Sequence, residues 1–175
     1  MDFLSKLKER IPDYAKDVRL NLDGAIARSS LASDEAVGVA LAAAFAARSP
    51  FIINTIRNSG QLDAQHVQAA LTAAALMGMN NVWYPFVEMT GDSELRTVPA
   101  QLRMNAYANH ADIEPRVFEM FALAASIVGK CTYCVASHYA LLKKGGMDLT
   151  QLRDIGRIAA VIQAAALVIS AEDSV

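Results

Sequence analysis

Alanine recurs in runs along the whole chain: Leu41-Ala42-Ala43-Ala44-Phe45-Ala46-Ala47, Ala73-Ala74-Ala75 and Ala164-Ala165-Ala166. Alanine is the strongest helix former, while β-branched runs and hairpin dipeptides such as Asn-Gly are scarce. The chain therefore reads as all-α. Its 175 residues suffice for one domain with a real core. Hydrophobic residues make up 54% and charged residues 19%, apolar enough that part of the surface is expected to be hidden in an oligomer. A net charge of −2 supplies no basic patch for nucleic acid.

Caps and breakers divide the chain. Residues 2–23 are expected to form a short amphipathic helix, with Tyr14, Val18 and Leu22 at helical spacing. Asp34 and Glu35 open a helix to about Arg48, acids suiting the positive end of the dipole. Ser49-Pro50 is a break, and a helix follows from Pro50 to about Asn58. Asp63 is a candidate N-cap for a helix to Met77, ended by Gly78. A separate short helix is expected from Asn80 to Met89, before a Gly91-Asp92 turn, and a helical segment from Pro99 to about Asn109. Pro115 suits the first turn of a helix to Val128. Gly129 turns the chain, Thr132 to Lys144 is helical, and Gly145-Gly146 closes that helix. Asp148 and Gln151 form a capping box for a last helix to about Ser170. That helix is apolar on most faces, so it belongs at the centre or at a subunit contact. The tail from Ala171 to Val175 is expected to fray.

Aligned on their glycines, Met77-Gly78-Met79-Asn80-Asn81-Val82-Trp83 lies over Val128-Gly129-Lys130-Cys131-Thr132-Tyr133-Cys134. This suggests a duplicated helical hairpin within a single domain of residues 1–175. The degenerate copy covers about 60–91 and the chemically equipped one about 112–146. The first twenty residues carry nine charges and no apolar stretch, unlike a secretory signal. The longest uncharged run, residues 67–87, contains Gln68, Asn80, Asn81 and Pro85, so no membrane span is expected and a cytoplasmic location follows.

Both cysteines lie in Gly129-Lys130-Cys131-Thr132-Tyr133-Cys134-Val135-Ala136-Ser137-His138. In a reducing cytosol a lone Cys-x-x-Cys is more often catalytic or metal-binding than structural. Cys134 and His138, at i and i+4, share a helix face with β-carbons ~6 Å apart. Histidine beside cysteine favours the reactive thiolate. Cys131 sits on the same face in the first turn, where free N–H groups favour an anion. The dipole argues for Cys131 as the attacking thiol and the histidine argues for Cys134, and spacing leaves the choice open.

Glu119 stands ten residues before Gly129, and His138 nine after it. In an antiparallel hairpin, at ~1.5 Å per residue, both lie roughly 14 Å from the turn. The stripe Phe118, Phe121, Ala122 and Ala125 marks this helix as buried, and a buried carboxylate needs a partner. Glu119, His138 and Cys134, with Cys131 as second thiol, would form a relay suited to two-electron reduction of a peroxide through a sulfenic acid. An inert buried cysteine pair is the bland alternative. A zinc site of Cys131, Cys134 and His138 would lack a fourth ligand. Val135 stands where covalent haem attachment would require histidine. No βαβ pattern supports a thioredoxin-type site. His66 and His110 read as structural or solvated, and Met77 and Met79 as core packing.

The order Glu119, Cys131-x-x-Cys134, His138 resembles the alkyl hydroperoxidase D (AhpD) family of the carboxymuconolactone decarboxylase-like superfamily. The likeness extends to Leu7-Lys8-Glu9-Arg10-Ile11-Pro12-Asp13-Tyr14-Ala15-Lys16-Asp17, Met77-Gly78-Met79-Asn80-Asn81-Val82 and Leu102-Arg103-Met104-Asn105. The resemblance implies an AhpD-like all-α fold of two related helical-hairpin halves, the C-terminal half carrying the site, assembled as a homotrimer. It implies an antioxidant thiol peroxidase that reduces hydrogen or alkyl hydroperoxides through a Cys131–Cys134 dithiol/disulfide cycle. No tightly bound cofactor or metal is implied. Electrons would come from dihydrolipoamide on a lipoylated 2-oxoacid dehydrogenase component, and the enzyme would regenerate the peroxiredoxin AhpC. By position, Cys134 takes the sulfenic acid and the mixed disulfide with AhpC, and Cys131 is the proton-donating and resolving thiol. Glu119 and His138 form the relay. Tyr133 stands where a well-known member of the family has histidine, which bears on accessory proton transfer. The alternatives are a superfamily decarboxylase acting on a lactone acid, and a non-catalytic helical module that binds zinc or senses redox state.

Overall fold

A computed structural model describes residues 1–174, and among them there is no strand. The helices are α1 (Asp2–Glu9), α2 (Lys16–Leu22), α3 (Ser33–Ala46), α4 (Pro50–Arg57), α5 (Ala64–Thr90), α6 (Asn105–Ala108), α7 (Pro115–Val128), α8 (Thr132–Lys144) and α9 (Leu149–Glu172). The all-α class agrees with the alanine-rich sequence.

Helix α3 is the centre. It packs against α4, α5, α7 and α9, and Val37, Val39, Leu41 and the alanines from Ala40 to Ala44 have no exposed surface. A helix buried on every side needs small residues so that neighbours can approach. At Gly38 a β-carbon would overlap the Phe121 ring of α7. The large side chains of α7, Phe118, Met120 and Phe121, fill the space that the small α3 residues leave. Each fully buried side chain of this size contributes roughly 1.5–3 kcal/mol of transfer free energy.

Several helix ends follow the expected signals. Asp63 caps α5 by accepting from the His66 N–H at 2.7 Å. Asp148 and Gln151 form the reciprocal capping box of α9. Gly91 ends α5 in the left-handed conformation, at φ 67°. Helix α9 is long and apolar enough to cross a membrane by composition, but it packs into the core against α3 and α7.

Five expectations are corrected. Gly78 does not end a helix: α5 runs on for 27 residues, through Gly78 and Pro85, and absorbs the separate helix expected from Asn80 to Met89. A mid-helix glycine costs only ~1 kcal/mol relative to alanine, and burial of Ala69, Ala70, Ala73, Ala74 and Met77 outweighs that cost. The first copy of the aligned pair is thus continuous helix where the second turns at Gly129. Residues 2–23 are not one helix. The chain breaks at Ile11-Pro12, and Tyr14 is 72% exposed, its hydroxyl donating to Glu172 at 2.8 Å. After Pro99 only α6, a single turn, is helical. Met77 is buried as expected, but Met79 is 36% exposed. At the C-terminus α9 continues to Glu172, so Ala171 is helical, and Val175 lies outside the described residues.

Candidate active site

The site is built where α5 crosses the α7–α8 turn. Asn81 of α5 donates its side-chain N–H to the Ala125 carbonyl at 3.1 Å. A β-carbon on Gly129 would fall inside the Asn81 side chain, so the turn requires glycine for close approach. The next residue, Lys130, takes φ 57°, and the chain re-enters a helix at Cys131.

Cys131 is the N-cap of α8, its sulfur accepting from the Cys134 N–H at 3.2 Å. The two cysteines are joined by a disulfide with Cα atoms 5.3 Å apart. Both are buried, but differently. Cys131 has no exposed surface and its sulfur lies 3.9 Å from the Asn80 carbonyl oxygen. Cys134 borders a cavity of about 400 Å³ together with Ser137 and His138 of α8 and Tyr84 of α5.

Glu119 and His138 come together across the hairpin, as counting from the turn anticipates. His138 Nδ1 lies 2.6 Å from Glu119 Oε2, and both side chains are buried. Burial pushes the Glu119 carboxyl up, but hydrogen bonds with His138 and from Tyr107, with the nearby imidazoles, hold it below its ordinary range. The second carboxylate oxygen, Oε1, accepts from the Tyr107 hydroxyl at 2.5 Å. Burial first, and then this bond to Glu119, push the Tyr107 phenol far up, so it is a donor at any ordinary pH.

The last link of the anticipated relay differs in this disulfide state. His138 Nε2 faces the Met77 sulfur at 3.1 Å, and no hydrogen bond joins His138 to Cys134. Met77, read from sequence as packing, therefore touches the imidazole directly. Tyr107 was not singled out at all. The signal that could have found it is valence: a buried carboxylate has two oxygens, and His138 satisfies one. His66 serves the α5 cap, its Nδ1 2.9 Å from Asp63. His110 packs edge-on against Phe118, with ring centres 5.7 Å apart, and adds to the positive field at Glu119.

Tyr133, between the cysteines, stacks on Tyr84 with ring centres 4.3 Å apart. Beyond this pair lies a second groove of about 590 Å³ bordered by Trp83, Val87, Leu95, Val98 and Pro99. Both volumes fall in the range of small-molecule sites. Among the described residues, no three His, Cys, Asp or Glu side chains are grouped to hold a metal ion.

A cysteine pair of which Cys134 borders an open cavity, next to a buried imidazole–carboxylate pair, is equipped for thiol redox chemistry. Residues 94–172, which carry both cysteines, match the carboxymuconolactone decarboxylase family. Proteins named alkyl hydroperoxide reductase AhpD are similar over nearly the full length. The one from Rhodospirillum centenum is 43% identical over 171 residues, covering 97% of this chain and 91% of that protein. The one from a Bradyrhizobium species is 41% identical, covering 96% and 93%. The one from Streptomyces avermitilis is 40% identical, covering 97% and 96%. Similarity of this extent, running through both cysteines and the hairpin that carries them, places the chain in the AhpD family.

Proposed function

We propose that this chain is an alkyl hydroperoxide reductase whose Cys131–Cys134 pair cycles between dithiol and disulfide. The carrying observation is the buried Glu119–His138 pair beside a disulfide of which Cys134 borders the cavity. The names of the full-length relatives point the same way.

In the reduced protein, Cys134 thiolate attacks the O–O bond of the hydroperoxide. It takes one oxygen as a sulfenic acid, and the alkoxide leaves as the alcohol after gaining a proton. Cys131 then attacks the sulfenic sulfur, forming the disulfide and releasing water. The location of Cys134 on the cavity suits it to the first step, and the enclosed Cys131 to the second. His138, held by Glu119, supports the thiolate and handles the proton. Two electrons and two protons from an external dithiol reopen the disulfide. That dithiol attacks Cys134, and Cys131 leaves as a thiolate facing the N–H of Cys134 at the helix start.

The finer reading takes the donor as dihydrolipoamide on a lipoylated 2-oxoacid dehydrogenase component, in the cytoplasm. The oxidised target in the antioxidant pathway is the peroxiredoxin AhpC, bound through a mixed disulfide at Cys134. No tightly held cofactor or metal enters this cycle. A homotrimer is the proposed assembly. It is supported by an apolar stripe on α5, where Val82 is 70%, Phe86 45% and Met89 80% exposed.

Peroxide consumption with dihydrolipoamide as reductant tests the reading, comparing the unaltered protein with Cys134→Ser, Cys131→Ser and Glu119→Gln. Loss of turnover in both cysteine variants is expected, with a reduced rate for Glu119→Gln. Full activity in Cys134→Ser overturns the mechanism. Treating the reduced protein with peroxide should lower its intact mass by two hydrogens.

A further inference from the structure

Tyr107 reaches Glu119 from outside the α7–α8 hairpin. It lies on α6, in the connection between α5 and α7. Ala100, Gln101, Leu102 and Met104 of the same connection border the cavity opposite Cys134. The Tyr107 ring packs edge-on against Phe118 with centres 5.8 Å apart, and its centre is 6.2 Å from that of His138. Packing thus fixes the ring, and the ring delivers its hydroxyl to Glu119 Oε1.

A glutamate held by one donor can still turn, because its terminal torsion is broad. Here each oxygen has a separate partner: Tyr107 on Oε1 at 2.5 Å and His138 Nδ1 on Oε2 at 2.6 Å. Two anchors fix the carboxylate plane, and that plane sets the direction in which the imidazole presents Nε2. We infer that Tyr107 is a positioning residue for the dithiol site, orienting Glu119 and through it the His138 ring, which borders the same cavity as Cys134. It ties α6 to the proton-handling pair through this one hydroxyl. The inference rests on the relay in the proposed function, but not on peroxide being the substrate.

The titratable groups around Glu119 are few. His138 faces it from α8, Tyr107 from α6, and His110 from the turn that follows. On α3, Glu35 is paired with Arg116 at 2.5 Å. On α9, Asp154 is held by Ser30, Arg153 and Arg157. Helix α5 presents Met77 and Asn81, which do not titrate, to this side of the site. Removing the Tyr107 hydroxyl takes away one of the donors that favour ionised Glu119, so protonation of that carboxyl should move to higher pH.

The test is the rate at which iodoacetamide alkylates Cys134 in the reduced protein, followed by peptide mass spectrometry from about pH 3 to about pH 9. Tyr107→Phe keeps the ring and removes only the donor. Its acid-side midpoint should rise by about one to two pH units, the size expected for one hydrogen bond to a charged group. The rate at neutral pH should fall several-fold. In a Glu119→Gln background the same change should add nothing. Leu102→Ala loosens the cavity wall without touching Glu119 and should leave the midpoint in place. Superimposable profiles for Tyr107→Phe and the unaltered protein overturn the inference. So does an equal loss in both backgrounds, which marks a packing effect. Should Tyr107→Phe fail to fold, Tyr107→His in the same assay decides: retention of the unaltered midpoint supports the need for a donor, and the Leu102→Ala profile matching a shifted one overturns it. Alkylation involves no peroxide, so failure of the peroxidase reading would appear separately, in the turnover assay alone.

Discussion

The Met77 sulfur lies 3.1 Å from His138 Nε2, on the ring nitrogen not engaged by Glu119. A thioether is a weak acceptor, so its hold on the imidazole is easily exchanged for a stronger one. With the disulfide closed, neither cysteine offers a thiolate, and Met77 is the partner that remains. In the proposed relay, a Cys134 thiolate formed when the disulfide opens would compete for the same nitrogen. Met77→Leu keeps the volume and removes the competitor. Alkylation of reduced Cys134 should then accelerate about two- to five-fold, as expected for loss of a bond near 0.5–1 kcal/mol. A slower reaction would mean that Met77 steers the ring rather than competing for it.

Asp154 ties the last helix to the segment before α3. It accepts from the Ser30 N–H at 2.8 Å and the Ser30 hydroxyl at 2.9 Å, and pairs with Arg157 at 3.0 Å. Burial pushes its carboxyl up, but the Ser30 donors and the Arg157 and Arg153 guanidiniums bring it down to about 2. The folded value lies below the unfolded one of ~3.9. The stabilisation is therefore complete above about pH 4 and disappears as pH falls toward about 2. Asp154→Asn should lose about 1–3 kcal/mol at pH 7. Urea midpoints measured at pH 7 and at pH 3 should differ less between the two proteins at the lower pH.

Gly129 leaves room for Asn81, whose amide N–H holds the Ala125 carbonyl. Gly129→Ala should push α5 away from the turn, at a cost of about 1–3 kcal/mol as in other overpacked sites. The thermal midpoint should fall, and reduced Cys131 should become alkylatable because Asn80 no longer covers it. Gly78→Ala is the contrast. Its β-carbon meets nothing within 4 Å, so the midpoint should rise, by up to about 1 kcal/mol in stability.

Lys130 holds φ 57° in the turn before Cys131, a left-handed conformation that costs an L-residue roughly 1–2 kcal/mol. Its side chain is exposed. Lys130→Gly should stabilise the protein by up to about 1 kcal/mol, after allowing for the looser unfolded chain. Equilibrium unfolding checks this, and unchanged Cys134 alkylation would separate backbone strain from site chemistry.

What the sequence disclosed depends on how local each signal was. Glu119, Cys131, Cys134 and His138 all lie on one hairpin, so residue counting from Gly129 placed Glu119 and His138 at a common height, and helix spacing put the cysteines on the face of His138. The caps at Asp63 and Asp148 are written in adjacent residues and were legible for the same reason. The course of α5 was not, because Gly78 weakens a helix locally while the packing that preserves it comes from α3 and α7. Tyr107 and Met77 were hidden for a related cause. They reach the imidazole and carboxylate from separate stretches of chain, and only the assembled helices bring them there. Tyr14 fitted a helical stripe on paper, but Pro12 redirects the chain and leaves its ring in solvent.

The cavity beside Cys134 has two unlike walls. One is made by α5 and α8, locked into the core, and the other by the mostly non-helical connection that contributes residues 100–104. Loops of this kind accept substitution with little effect on the packed interior. Selection could therefore reshape which molecules reach the sulfur by rewriting a short surface segment, leaving the folding of the bundle and the pairing of Glu119 with His138 untouched.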